Sequence, residues 1–375
     1  MRVTHIITGL DTGGAEMMLL KLVCETQGAI QHSVISLRCR GTIGPQIEAV
    51  GGQVIALDLH GPLQSLMGLL RLRALLRQLQ PDLLQGWMHH GNVAATLGSL
   101  LSGRRLPVAW SIRCTIDIFR ERLRTKLLVR ASPLLSGNVG LIIYNSAPAQ
   151  AQHEAIGYAK RGIVLGNGFD TAKLSPDAAV RDSMRRQYGI AEDQTVIGYV
   201  GRLAPIKDLP TLFAAMAKVA RERSDAAFVA IGRELPESAA LLPQTRADIE
   251  ALGDRLILLP EQTDVRPFYR MFDLFVLSSS AEGFPNVIGE AMACALPCVA
   301  TDAGDCRAII ADTGRVVPIR APDALAAALL ELLGLAPQAR AEMGTQARAR
   351  IEKDFSIGSI ARAYEAGWRR LVAAG

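Results

Sequence analysis

The sequence predicts an α/β protein built from two doubly wound parallel-sheet domains. At 375 residues the chain is long for one domain and comfortable for two, each with its own core. Strand-like apolar runs alternate with helical ones from end to end, which is the pattern of βαβ units covered on both faces. A turn-rich stretch, Asn167-Gly168-Phe169-Asp170, separates two such series. The expected organisation is an N-terminal domain over 1–168, completed by the C-terminal helix 357–375, and a second domain over 169–356.

In the first series Val3–Thr8 reads as a strand, followed by a glycine loop and a helix over Ala15–Thr26. Ser33–Leu37, Val54–Leu57, Leu83–Gly86, Val108–Ser111, Leu141–Tyr144 and Ile163–Leu165 read as further strands, with helices at Leu63–Gln80 and Gly91–Ser102. The second series has strands at Thr195–Val200, Ala227–Ile231, Leu256–Leu259, Leu274–Leu277 and Cys298–Ala300. Its helices fall at about Asp208–Ala220, Val265–Met271, Val287–Ala295 and Pro322–Leu333, before a closing amphipathic stretch at Ile357–Ala373.

Hydrophobic residues make up 49% of the chain and charged ones 21%, without a run of 18 uncharged apolar residues, so a membrane-spanning helix is excluded. The N-terminus enters a strand directly, and a cytoplasmic protein is expected. Six scattered cysteines lack a Cys-x-x-Cys pair and read as small buried hydrophobes, Cys294 and Cys298 lying four apart at a helix end.

The net charge of +5 is unevenly spread. Residues 1–168 hold 17 Lys and Arg against 9 Asp and Glu, a balance of +8, and the remainder holds 24 against 27, a balance of −3. Much of the basic excess (Arg71, Arg73, Arg77, Arg104, Arg105, Arg120, Arg122, Arg124, Lys126, Arg130) is interleaved with leucine rather than with aromatic residues. Nucleic-acid binders add stacking platforms or a recognisable motif, and neither is present, so no nucleic-acid partner is expected. A basic, leucine-rich face suits an anionic membrane surface or a phosphate-bearing acceptor; a solvated helix face is the alternative.

Three segments could carry chemistry. Thr8-Gly9-Leu10-Asp11-Thr12-Gly13-Gly14-Ala15-Glu16 joins strand one to helix one, where glycines admit a ligand close to the backbone and the helix N-terminus offers free N–H groups to an anion. It is neither a dinucleotide fingerprint nor a P-loop. Gly201-Arg202-Leu203-Ala204-Pro205-Ile206-Lys207-Asp208 puts two cations on a loop at the carboxyl end of a strand, where open α/β sheets bind ligands. Ser278–Met292 leaves another strand and turns into a helix, with Glu282 on the loop and Glu290 inside the helix. Two carboxylates beside a helix N-terminus can accept sugar hydroxyls while the N–H groups hold phosphate.

Together these segments resemble glycosyltransferase family 4, the retaining glycosyl transferases group 1 of the GT-B superfamily. The E-x7-E spacing from Glu282 to Glu290 within EGFPNVIGEAMACALPCVATDAGD is the most specific part. GRLAPIKDL, GGAE, the stretch from Asn145 to Tyr158 and GNGFD each sit at the expected place, so the likeness runs through nearly the whole chain. The resemblance implies a GT-B fold, two Rossmann-like domains facing across a cleft, and a retaining transferase moving a sugar from a nucleoside-diphosphate donor to a glycan or lipid-linked acceptor. It implies that Arg202 and Lys207 bind the diphosphate, Glu282 faces the transferred sugar and Glu290 binds the ribose. Gly283, Phe284, Pro285, Asn286 and Val287 would contact sugar and phosphate, and Gly13 and Gly14 would permit close approach by the first domain. His90 is similar to a histidine placed near the sugar, with His89 the competing position. No cofactor and no metal are expected: the chain has no Asp-x-Asp element to hold a hard cation. The expected setting is cytoplasmic, with peripheral contact at an anionic inner membrane face.

Ala295, where many relatives have glycine, and Asp305 with Arg307, in place of a commoner Gly and Glu, depart from the family pattern. Neither touches the E-x7-E pair. A nucleotide-sugar epimerase on the same fold, a pyridoxal-dependent phosphorylase and a non-catalytic scaffold are the competing readings. Joint retention of Arg202, Lys207, Glu282 and Glu290 argues against a scaffold.

Overall fold

A computed structural model describes residues 1–59, 62–116, 123–235 and 243–374. The chain divides into two compact units, Met1–Gly168 with Ile357–Gly375, and Phe169–Ser356.

The first unit holds seven strands: β1 Arg2–Ile7, β2 Gln31–Ser36, β3 Gln53–Ala56, β4 Leu83–Trp87, β5 Val108–Ile112, β6 Leu141–Tyr144 and β7 Gly162–Val164. They pair in parallel in the order β3-β2-β1-β4-β5-β6-β7. Successive side chains on a strand point to opposite faces, and each face has its own core. Ile7, Val34, Trp87 and Ile143 pack on one side, and Ile6, Ile35, Trp110 and Ile142 on the other. The C-terminal helix Ile357–Ala373 returns to the first of these faces and buries Ile360, Tyr364 and Trp368. Trp368 Nε1 donates to Gln85 Oε1 on β4 at 2.8 Å, which satisfies two buried polar groups at once.

The second unit has six parallel strands: β8 Thr195–Val200, β9 Ala226–Ile231, β10 Leu256–Leu259, β11 Leu274–Leu277, β12 Cys298–Thr301 and β13 Gly314–Val317, in the order β10-β9-β8-β11-β12-β13. β9 and β11 are apolar throughout because helices cover both faces; all six residues of β9 are buried.

Several elements differ from the sequence reading. The helix expected at Gly91 begins at Met88, without a side-chain cap to mark its start. β13 and the helices Leu123–Ser136 and Pro337–Asp354 had no counterpart. Pro337–Asp354 buries only Gly344, Ala347 and Ile351, residues mostly too small to register as an apolar period. Cys298 lies in β12 rather than at a helix end, and with Cys294 and Cys306 it is buried, so the thiols are pushed up, to about 12 for Cys294 and Cys306. Cys24 and Cys39 are exposed, contrary to the reading of all six as core. Arg120 and Arg122 lie outside the described residues.

Candidate active site

β8 and β11 are neighbours where the strand order of the second unit reverses. The crevice outside the carboxyl ends of such a pair is the usual ligand position in an open parallel sheet. Both chemistry-bearing segments of this unit leave these two strands, Gly201–Asp208 from β8 and Ser278–Pro285 from β11.

The β8 loop lies close against the sheet. Gly201 N–H donates to Ile231 O at 2.9 Å and Leu203 N–H to Arg233 O at 3.0 Å. A Cβ on Gly232 would run into the Gly201 carbonyl, and one on Gly201 would come within 2.5 Å of the Tyr199 hydroxyl, so both positions depend on glycine. A short turn over Pro205–Lys207 then delivers the lysine, and Asp208 follows in the left-handed region at φ 48°. The two loops are tied by backbone: Ser280 N–H donates to Ile206 O at 2.7 Å and Ser278 Oγ to Lys207 O at 2.8 Å.

Lys207 Nζ and Glu282 Oε1 form an ion pair at 2.5 Å, with side chains only 14% and 12% exposed. Ser279 Oγ donates to the same carboxylate oxygen at 2.6 Å, and Thr301 Oγ1 donates to Ser279 O at 2.5 Å. Behind them Gly304, at φ 59°, backs onto the Glu282 and Gly283 carbonyls, where any Cβ would collide. Glu282 is therefore held in one position. An ammonium has three donors, so Lys207 keeps capacity for an anion while paired. Arg202 is exposed and has no ion-pair partner among the described residues. Lys207, Glu282 and Arg202 together carry a net +1.

The helix Asn286–Ala293 starts after Pro285 without a side-chain cap, so the positive end of its dipole lies on this loop. Phe284 is buried against Phe169 and Phe355, with ring centroids 6.2 and 5.9 Å away, so only its backbone is offered to a ligand. Glu290 lies one turn into the helix, where the buried Tyr269 hydroxyl donates to Oε2 at 2.8 Å. Burial and the neighbouring carboxylate hold that phenol well above its usual range. Ser279, Thr301, Gly304 and Tyr269 are supporting residues that the sequence reading did not single out. Their signal was weak, since single hydroxyls and a glycine acquire meaning only once their partners are in place.

Ala295, which stands where the family resemblance expects glycine, adopts φ 60°. The glycine preference at this position has a physical basis, because a Cβ in the left-handed region costs about 1–2 kcal/mol.

In the first unit, Gly13 caps the helix Gly14–Glu25 with extended backbone and no side-chain bond. A Cβ on Gly13 would strike the Glu16 carboxylate, whereas Gly14 has open space around its Cβ direction. Glu16 is held above the usual carboxylate range mainly by burial. Gly91 packs on β1, where a Cβ would meet the Ile6 carbonyl, and so brings His89 and His90 to the end of the sheet. The two histidines diverge. His89 is buried, stacks on His153 at 5.5 Å and is depressed to about 4 by burial with help from His153 and His90. His90 is exposed and borders an apolar pocket.

Two family models account for most of the chain: Glycosyltransferase Family 4 matches residues 12–173, and Glycosyl transferases group 1 matches residues 194–334. The chain belongs to the family 4, group 1 glycosyltransferases. Among curated relatives, the D-inositol 3-phosphate glycosyltransferase of Kineococcus radiotolerans is 33% identical over 229 residues, covering 56% of this chain and 52% of that protein. The lipopolysaccharide core biosynthesis mannosyltransferase LpcC of Rhizobium leguminosarum is 29% identical over 217 residues, covering 56% of this chain and 60% of that one. The chain thus spans little more than half the length of these curated relatives. In structure, HepE of Anabaena, solved in complex with UDP, superposes with a TM-score of 0.85 at 20% identity, over 99% of this chain and 100% of that one. The fold is GT-B.

Proposed function

We propose that this chain is a retaining glycosyltransferase that moves a sugar from a nucleoside-diphosphate sugar to a glycan or lipid-linked acceptor, in the assembly of a cell-surface glycoconjugate. The observation that carries the proposal is the Lys207–Glu282 pair at the strand-order switch, with Arg202 on the same loop and an uncapped helix N-terminus beside it. As the bond from sugar to diphosphate breaks, negative charge grows on phosphate oxygens. Arg202, the remaining Lys207 donors and the N–H groups at Asn286–Ala293 supply positive potential for it, and such preorganised groups lower the barrier because they need no reorientation. Glu282 and Glu290, each fixed by a hydroxyl donor, would accept hydroxyls of the sugar and of the ribose. The basic, leucine-rich helices of the first unit support peripheral contact with an anionic inner membrane face.

In this reading the protein's own cations take the role of a divalent ion. Transfer should therefore proceed in excess EDTA at close to its normal rate. A loss of more than about tenfold, restored by Mg²⁺ or Mn²⁺, would show that the diphosphate is held by other means than those assigned here. The reaction class is tested by incubating the protein with UDP-glucose and other nucleotide sugars and following the anomeric signals by NMR. Retention predicts that sugar released to water appears first as the anomer of the donor; first appearance of the opposite anomer would overturn it.

A further inference from the structure

The first unit contains an apolar pocket that the donor site does not use. It encloses about 190 Å³ and is lined by Leu37, Leu57, Leu59, Leu72, Leu97 and Leu128 among others, with His90 the sole polar lining side chain among the described residues. Leu37 follows β2, Leu57 and Leu59 follow β3, and His90 follows β4, so the pocket lies at the carboxyl ends of the strands, where an open parallel sheet binds its ligands. Among the described residues the lining carries aliphatic side chains and no aromatic carbocycle, which suits a flexible saturated or branched chain better than a flat ring.

The surroundings point the same way. The helices Pro62–Leu79 and Leu123–Ser136, which contribute Leu72 and Leu128, also expose Met67 and Leu70, and Leu127 and Leu134. Leu134 is 83% exposed. Exposed Arg71, Arg77 and Arg130 lie on the same two helices. Apolar side chains interleaved with cations are the composition of a surface that rests on anionic headgroups. A chain drawn from such a surface would reach the leucine-lined pocket with its polar end toward His90.

We infer that the pocket is the subsite for the aliphatic chain of an amphiphilic acceptor, and that His90 marks the boundary between this chain and the group that receives the sugar. This rests on the glycosyltransferase reading for the word acceptor, but the binding of an aliphatic chain can be measured without turnover.

The probe is a series of n-alkyl β-D-glucosides with six to ten carbons, titrated below their micelle concentrations into the full chain. Affinity should tighten about fourfold per methylene until the pocket is full. Ala94→Phe, which fills the pocket from the helix Met88–Leu101, should weaken the ten-carbon probe at least tenfold. Should that variant fail to fold, Leu97→Gln, which nearly preserves volume and adds an amide, should weaken it similarly. Affinity independent of chain length, or unchanged in the folded variants, would overturn the assignment. UDP binding measured on the same samples separates the two ideas: chain-length-dependent binding without nucleotide binding would remove the donor reading and leave the aliphatic subsite standing.

Discussion

Arg202→Ala is expected to lower turnover at saturating donor by about a hundredfold, the scale seen when one preorganised donor to a developing oxyanion is removed. It should leave folding stability within about 0.5 kcal/mol, as for an exposed side chain that makes no ion pair among the described residues. Arg202 is exposed on the β8 loop and has no ion pair among the described residues, so its removal uncovers nothing. Lys207→Ala should cost turnover at least as much, but it strips a partner from Glu282, whose side chain is 12% exposed. Some destabilisation of the second unit is therefore expected there, limited by the Ser279 hydroxyl that remains. Comparing the two variants separates charge stabilisation from support of Glu282. Normal turnover in Arg202→Ala with saturating donor would remove the arginine from the phosphate site.

Acid should unfold the first unit before the second. All six histidines fall within residues 1–168. Four of them, His5, His32, His89 and His153, are buried and held below their ordinary value, chiefly by burial. Two form a directional chain. Trp87 Nε1–H donates to His5 Nδ1 at 3.1 Å, so His5 Nε2–H donates to His32 Nδ1 at 2.9 Å. His32 Nε2–H then donates to Thr26 Oγ1 at 2.8 Å, and the Thr26 hydroxyl donates to Leu22 O at 2.6 Å. Each group is satisfied only while both rings are neutral.

A histidine depressed by folding contributes its full stability above the unfolded value near 6.5 and loses it as the pH falls toward the folded value. For His32, depressed to about 4, that window corresponds to about 3 kcal/mol. All three tryptophans, Trp87, Trp110 and Trp368, also belong to the first unit, so their fluorescence reports on it alone. The tryptophan transition should begin below about pH 6.5 and be complete while far-UV circular dichroism still reports a folded second unit. Coincident transitions confined to pH below 4 would contradict this account.

Much of the fold could be read because buried parallel strands are short apolar runs between turns, as in Leu274–Leu277 and Ala226–Ile231. β13 was harder: Gly314–Val317 is four residues with an arginine, and Gly314 is small because a Cβ would meet the Cys298 carbonyl. The E-x7-E residues and the two cations were legible from motif spacing. Their mutual arrangement was not. Sequence alone placed two cations on one loop and a carboxylate on another, and did not show that Lys207 pairs with Glu282, a contact 75 residues apart in the chain that only the strand order creates. The buried histidine chain was equally hidden, since His5, His32 and Trp87 come together only through the pairing of β1 with β2 and β4.

The central claim is that the second unit holds a nucleoside diphosphate through the β8 and β11 loops. It is tested most directly by thermal unfolding of the full chain against a panel of nucleotides and nucleotide sugars, with tryptophan fluorescence reporting the first unit and far-UV circular dichroism both. A nucleoside diphosphate or its sugar at about 100 times its dissociation constant should stabilise by roughly 2.7 kcal/mol. The account predicts this gain in the wild type and its loss in Arg202→Ala. A panel in which no nucleotide shifts unfolding, or in which Arg202→Ala responds like the wild type, would contradict it.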